Sequence, residues 1–227
     1  MDLVRVLDWV LPPRCGACRR LGSWLCPRCF RAIRHLEEPL CPRCGRQLEF
    51  KNDWCSCRRR LPHLARLRAA AVYEEPLSKA VHRFKYEGWR ALGPPLATLL
   101  AARLAVDGLP AARVLAVPLH AARLRERGYN QSEELARALR RRLGLPARPG
   151  KLTRVRDTPP QVGLDRLRRL GNVAGAFAWS GPAGAGEPVL LVDDVVTTGA
   201  TLEACAAVLA AAGFGRVSGI TLARVSL

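Results

Sequence analysis

The chain has 227 residues, 49% of them hydrophobic and 25% charged, with a formal net charge of +18. That length makes one medium domain or a domain with a small appendage, at about 100–200 residues per domain. The composition can bury a core and excludes intrinsic disorder, and the 19 glycines follow no collagen period.

The first feature along the chain is a block of cysteines. Residues 1–68 hold 15 basic and 6 acidic side chains and eight of the nine cysteines. Cys15/Cys18, Cys26/Cys29 and Cys41/Cys44 have C-x2-C spacing, and Cys55/Cys57 is C-x-C. A two-residue spacer lets both thiolates of a tight turn face one ion, and Zn2+ takes four such ligands in a tetrahedron. Eight cysteines therefore supply two sites. Disulfides are disfavoured, because the start of the chain, with Asp2 and Asp8, does not read as a secretion signal. Neither ferredoxin spacing fits. Small-loop geometry favours one site from Cys15, Cys18, Cys26 and Cys29 and another from Cys41, Cys44, Cys55 and Cys57. Interleaved pairing stays open, and His63 is an alternative ligand for the second site. The zinc is structural, since about 55 residues hardly build a core unaided. Trp24, Phe30, Phe50 and Trp54 interleave with Arg43, Arg58, Arg59 and Arg60. Such side chains either stack single-stranded bases or plug a small core among solvated arginines.

After residue 68 the pattern becomes α/β. Ala69–Tyr73 is a short apolar run, and Leu77, Val81 and Phe84 have helical spacing. Leu96–Val106 reads as a helix entered through Pro94 and Pro95. Arg113–Pro118 reads as a buried strand. Asn130 with Glu133 resembles a capping box, opening a helix with Leu135, Leu139 and Leu143 on one face. Val189–Val192 is an all-apolar strand, followed by a helix over about Ala200–Ala212 with Gly213 as its stop. Val217–Val225 is a last strand. This alternation predicts a parallel sheet flanked by helices. Cys205 falls on the buried helix stripe and reads as a core residue. No apolar run reaches the ~18–20 residues of a spanning helix, so a cytoplasmic protein with no membrane span is expected.

The segment Val189–Thr201, VLLVDDVVTTGAT, carries the chemistry. A buried strand ends in Asp193 and Asp194, a turn of small and hydroxylated residues follows, and a helix begins. Ligands collect at the carboxyl ends of strands in open α/β sheets. The backbone N–H groups of Thr197, Thr198, Gly199, Ala200 and Thr201, with the helix N-terminus, suit a doubly charged phosphate. The pattern is no nucleotide-triphosphate loop, because it lacks G-x-x-x-x-G-K. Two carboxylates before a phosphate cradle point to a sugar phosphate, with Asp193 and Asp194 meeting its hydroxyls.

The string resembles the phosphoribosyl pyrophosphate (PRPP) signature of type I phosphoribosyltransferases. The whole chain resembles the ComF family of competence proteins, through Phe84-Lys85-Tyr86, Val117–His120, Arg127–Gln131, Thr158–Gln161, Leu164, Arg169, Asn172 and Gly175–Phe177. The resemblance implies a double zinc ribbon over 1–64 and a phosphoribosyltransferase-like domain over 65–227. It implies pyrophosphate binding at Leu119 and His120 with Arg123 and Arg127, and with Arg169 on a mobile hood over 153–172. Mg2+ would enter on PRPP oxygens. The net +10 of residues 113–169 would partly serve pyrophosphate. Two readings follow: a phosphoribosyltransferase of unknown acceptor, or a PRPP-sensing or single-stranded-DNA-binding module beside a competence helicase. The chain departs from some purine-salvage enzymes, which carry a base-contacting acid where Thr197 stands.

Overall fold

The computed structural model describes residues 12–51, 53–156 and 175–225. The expectations at Thr158–Gln161, Leu164, Arg169 and Asn172, and most of the expected hood, lie outside these residues.

Two short helices, α1 (Pro27–Arg31) and α2 (Cys57–Arg60), belong to the cysteine-rich part. The α/β part then runs β1 (Leu64–Val72), α3 (Leu77–Tyr86), α4 (Gly93–Asp107), β2 (Arg113–Ala116), α5 (Ala121–Arg127) and α6 (Gln131–Leu143). It continues through β3 (Lys151–Arg154), β4 (Phe177–Ser180), β5 (Val189–Val196), α7 (Ala200–Ala211) and β6 (Val217–Arg224). The main sheet has order β1-β6-β5-β2, with every neighbouring pair parallel. β3 and β4 form a separate antiparallel pair. Among the described residues no helix is long and apolar enough to cross a membrane.

Central strands buried on both faces read as continuous apolar runs, and β5 and β6 do so. Their side chains alternate between two cores. Leu190, Val192, Ile220 and Leu222 pack with Phe84, Leu96, Leu100, Leu135 and Leu139 of α3, α4 and α6. Val189, Leu191 and Val217 pack with Leu202, Cys205 and Leu209 of α7 and with Leu152 and Phe177 of the hairpin. The cysteine-rich part divides between these cores. Cys15, Ala17, Leu25 and Ile33 join the first, whereas Cys41, Cys44, Leu48 and Leu61 join the second.

Three local details differ from the sequence expectation. β5 runs to Val196, so both aspartates lie inside the strand, because β6 continues beside it and Val225 N donates to Val196 O. Asn130 caps α6 by accepting from Ser132 N at 3.0 Å, while Glu133 turns away to pair with Arg140, so no capping box closes. The β3–β4 hairpin and α5 carry too short or too polar a pattern to be read from the sequence.

Candidate functional site

The two knuckles repeat one backbone design. Cys15 N bonds Arg20 O and Arg19 N bonds Cys15 O; Cys41 N bonds Arg46 O and Gly45 N bonds Cys41 O. The flanking bridges Arg14–Leu21 and Leu40–Gln47 repeat as well. Cys15, Cys18, Cys26 and Cys29 bring four Sγ atoms within 4.8 Å of one another, and so do Cys41, Cys44, Cys55 and Cys57. The pairing is thus sequential. Sγ separations are 3.7 Å for Cys18–Cys26 and 3.6 Å for Cys41–Cys57 and Cys44–Cys55. A tetrahedron with Zn–S bonds of about 2.3 Å has edges of about 3.8 Å. These spacings fit two zinc tetrathiolates and are far longer than a disulfide bond. Burial pushes the Cys15 thiol up, but backbone amides of Cys26, Cys18 and Ala17 outweigh it and the pKa falls to about 6. Cys41 falls to about 7 against the same burial, through the amides of Cys44 and Arg43. Their partners move the other way: burial and the neighbouring thiols push Cys29 and Cys57 up and Cys44 up to about 11, so a quartet of thiolates requires the charge of a bound metal. His63 is not part of the second group, which four cysteines complete; its Nδ1 lies 2.6 Å from Glu203 Oε1.

The carboxylates lie at the C-terminal end of β5. Asp194 is buried and pairs with Lys85 Nζ of α3 at 2.8 Å. Asp193 Oδ1 accepts from Ser132 Oγ at 2.8 Å and from Asp194 N at 2.9 Å. Burial, then the charge of Asp194, pushes the Asp193 carboxyl up to about 7 against those hydrogen bonds. Burial pulls the Lys85 ammonium down, but Asp194 and Asp193 more than offset it and its pKa is raised.

The turn after β5 is held open by Gly199, the N-cap of α7, at φ +87°. A Cβ there would stand 3.1 Å from Leu67 Cδ2 and 3.4 Å from Leu61 Cδ1, so a glycine serves both dihedral and space. Ala200 N donates to Thr198 Oγ1 at 3.3 Å. Asp193 and Thr197, Thr198, Gly199, Ala200 and Thr201 line one cavity of about 50 Å³.

Leu119 and His120 follow β2, whose end is tied to β5 by Val117 N bonding Val192 O. They therefore lie at the same end of the sheet as the aspartates. His120 caps α5, its Nδ1 accepting from Ala122 N at 3.4 Å. Leu119 lines a different cavity, of about 700 Å³, along β2 and α6. Arg123 is half-buried on α5, and Arg127 stacks 4.9 Å from the Tyr86 ring centroid. Arg169 lies outside the described residues.

Sequence reasoning gave no site role to four residues: Lys85, named there only within Phe84-Lys85-Tyr86, and Ser132, Glu203 and Arg224. Lys85 had a signal, as one of four lysines among 37 basic residues. Glu203 lies on the first turn of α7 and accepts from His63 N at 2.9 Å and Leu64 N at 3.1 Å. Arg224, at the end of β6, donates to Thr197 O and Cys44 O. The Glu203 contacts and the Arg224–Cys44 contact join residues 139–180 positions apart, which no local pattern encodes.

A double zinc ribbon family matches residues 6–63. The DNA utilization protein YhgH of Salmonella typhi is 35% identical over 158 residues, covering 67% of this chain and 69% of that protein. Competence protein F of Haemophilus influenzae is 34% identical over 187 residues, covering 78% of this chain and 81% of that protein. A solved hypoxanthine phosphoribosyl transferase of Trypanosoma cruzi is 19% identical, with a TM-score of 0.34 over 62% of this chain and 66% of that one, a likeness too slight to argue from.

Proposed function

The chain belongs to the ComF family, which includes competence protein F and the DNA utilization protein YhgH, and on that premise we propose that it binds PRPP and acts as a phosphoribosyltransferase in cytoplasmic DNA handling. One observation carries this reading: a carboxylate pair runs directly into a glycine-capped turn, and Asp193 shares the turn's cavity. The amides of Thr197–Thr201 hold the 5′-phosphate at the α7 N-terminus. Asp193 and Asp194 accept from ribose hydroxyls, with Lys85 holding the Asp194 carboxylate in place. Leu119 and His120, with Arg123, Arg127 and Arg169, hold pyrophosphate.

Transfer breaks the bond from the anomeric carbon to pyrophosphate and forms one to an acceptor nucleophile. Among the described residues, only the eight ribbon cysteines form a group of three or more candidate ligands. Asp194 Oδ2 is buried without a hydrogen-bond partner. This donor set suits an ion carried mainly by substrate oxygens, as Mg2+ is. When bound, Mg2+ supplies positive charge to the leaving pyrophosphate.

Isothermal calorimetry with PRPP and Mg2+ tests the site. Asp193→Asn is the cleaner variant, because Asp194 is tied to Lys85. Its affinity is expected to fall at least tenfold with the circular dichroism unchanged. Equal affinity sinks the assignment.

A second reading is a PRPP-sensing module that binds single-stranded DNA beside a helicase and performs no turnover. It draws on Trp54, 88% exposed, and Phe50, 70% exposed, close in sequence to Arg58, Arg59 and Arg60. Acceptor-dependent pyrophosphate release favours the enzyme; salt-sensitive DNA affinity without release favours the module. On the first reading the division at 64/65 separates a supporting ribbon from the ligand-binding part; on the second the ribbon itself carries the DNA contacts.

A further inference from the structure

The second ribbon and the phosphate turn meet at one side chain. Arg224 is the last residue of β6 and pairs in register with Val196, the residue before Thr197. Its side chain is buried, at 7% exposure for the residue. Nη1 donates to Thr197 O at 3.4 Å and Nη2 donates to Cys44 O. Cys44 is a candidate zinc ligand, so one guanidinium bridges the metal knuckle and the turn. Arg224, Cys44, Cys57, Thr197 and Thr198 also line a common cleft of about 560 Å³.

A second buried arginine shows what sets Arg224 apart. Arg68 donates to Pro42 O at 2.8 Å and to Cys41 O at 3.4 Å in the same knuckle. Its charge is answered by Asp107 at 2.8 Å. Among the described residues no carboxylate answers Arg224. A buried cation satisfied by carbonyl dipoles alone is costly. A zinc tetrathiolate at Cys41, Cys44, Cys55 and Cys57 would carry a formal charge of −2 on the very knuckle whose Cys44 carbonyl Arg224 reaches.

Resting on the reading of Thr197–Thr201 as a phosphate turn, we infer that Arg224 is a positioning residue of that turn. The zinc of the second ribbon acts on PRPP binding through it. Metal at Cys41, Cys44, Cys55 and Cys57 holds the guanidinium, and the guanidinium holds the Thr197 carbonyl. That carbonyl bond leaves the turn's N–H groups directed at the ligand. Leu61 adds an apolar support beneath Gly199, and Arg43 Nη2 donates to Leu61 O at 2.7 Å. The first ribbon has no corresponding contact to the turn among the described hydrogen bonds.

Two measurements on the full zinc-loaded chain test this. In calorimetry with PRPP and Mg2+, Arg224→Met is expected to bind about tenfold more weakly while keeping two zinc ions and a cooperative melt. Equal affinity overturns the inference. Binding couplings are reciprocal, so PRPP must also tighten zinc binding by wild-type protein, read by equilibrium competition with a colorimetric chelator. One of the two ions should bind more tightly with PRPP present, and neither should in Arg224→Met. Equilibrium zinc affinities of both wild-type sites that are indifferent to saturating PRPP overturn the inference even if the variant fails to fold. Wild-type protein that binds neither PRPP nor inorganic phosphate sinks the phosphate-turn reading instead, and this inference with it.

Discussion

The two ribbons share one knuckle design and one ligand chemistry, yet they dock on opposite faces of a single sheet. The first packs against the face covered by α3, α4 and α6. Its Trp24 meets Trp89 edge-on at 6.1 Å, Arg83 donates to Gly16 O and Ala17 O, and a Cβ on Gly16 would stand 2.7 Å from Leu92. Those are core contacts. The second ribbon packs against the face covered by α7. Its contacts run to the turn, through Leu61 under Gly199, His63 and Leu64 on Glu203, and Arg224 on Cys44. The same metal motif thus extends a core on one face and braces a ligand turn on the other. What a ribbon does here follows from where its knuckle carbonyls find donors.

α3 is the element most able to blur that contrast, because Arg83 reaches the first knuckle while Lys85 reaches Asp194. Replacing Lys85 by Met is expected to have the largest effect. Breaking a buried ion pair costs about 3–5 kcal/mol, which lowers the melting temperature on the order of 10 °C at this chain length. PRPP affinity should fall with it while both zinc ions remain. A melt within 2–3 °C of wild type removes Lys85 as the support of the carboxylate pair.

A matched pair of glycine variants sharpens the contrast at a middling scale. Gly16→Ala pushes into Leu92, which is fully buried, and overpacking costs about 1–3 kcal/mol. PRPP affinity should not change. Gly199→Ala strains a backbone at φ +87° and crowds Leu67 and Leu61. Its stability loss should be similar, at about 1–2 kcal/mol, but PRPP affinity should also drop. Thermal melts beside calorimetry separate the two; equal losses of affinity in both variants erase the distinction between the ribbons.

The smallest effect concerns the carboxylate beside the braced turn. The Asp193 pKa, pushed up to about 7, lies above its unfolded value, so folding favours the protonated form. Its stabilising contribution is fully present below about pH 4 and is lost as pH rises through about 7. Asp193→Asn should therefore gain stability relative to wild type between pH 5 and 8. A difference that stays flat across that window shows that Asp193 does not titrate there.

Local pattern already determined much of this protein. Two quartets of cysteine spacing, an apolar run ending in Asp193-Asp194, and Gly199 before a helix are all encoded within a few residues of one another. Each rests on short-range geometry: a thiolate turn, a strand period, a positive φ. The parallel sheet was legible too, because strands buried on both faces are apolar throughout. Only the tertiary structure decided which core each ribbon joins, that Lys85 neutralises Asp194, that Ser132 bonds Asp193, and that Arg224 spans Cys44 and Thr197. The physical reason is distance along the chain. A buried charge must be answered by whatever group the fold brings near, and nothing in the residues flanking Lys85 or Arg224 specifies a partner more than a hundred positions away.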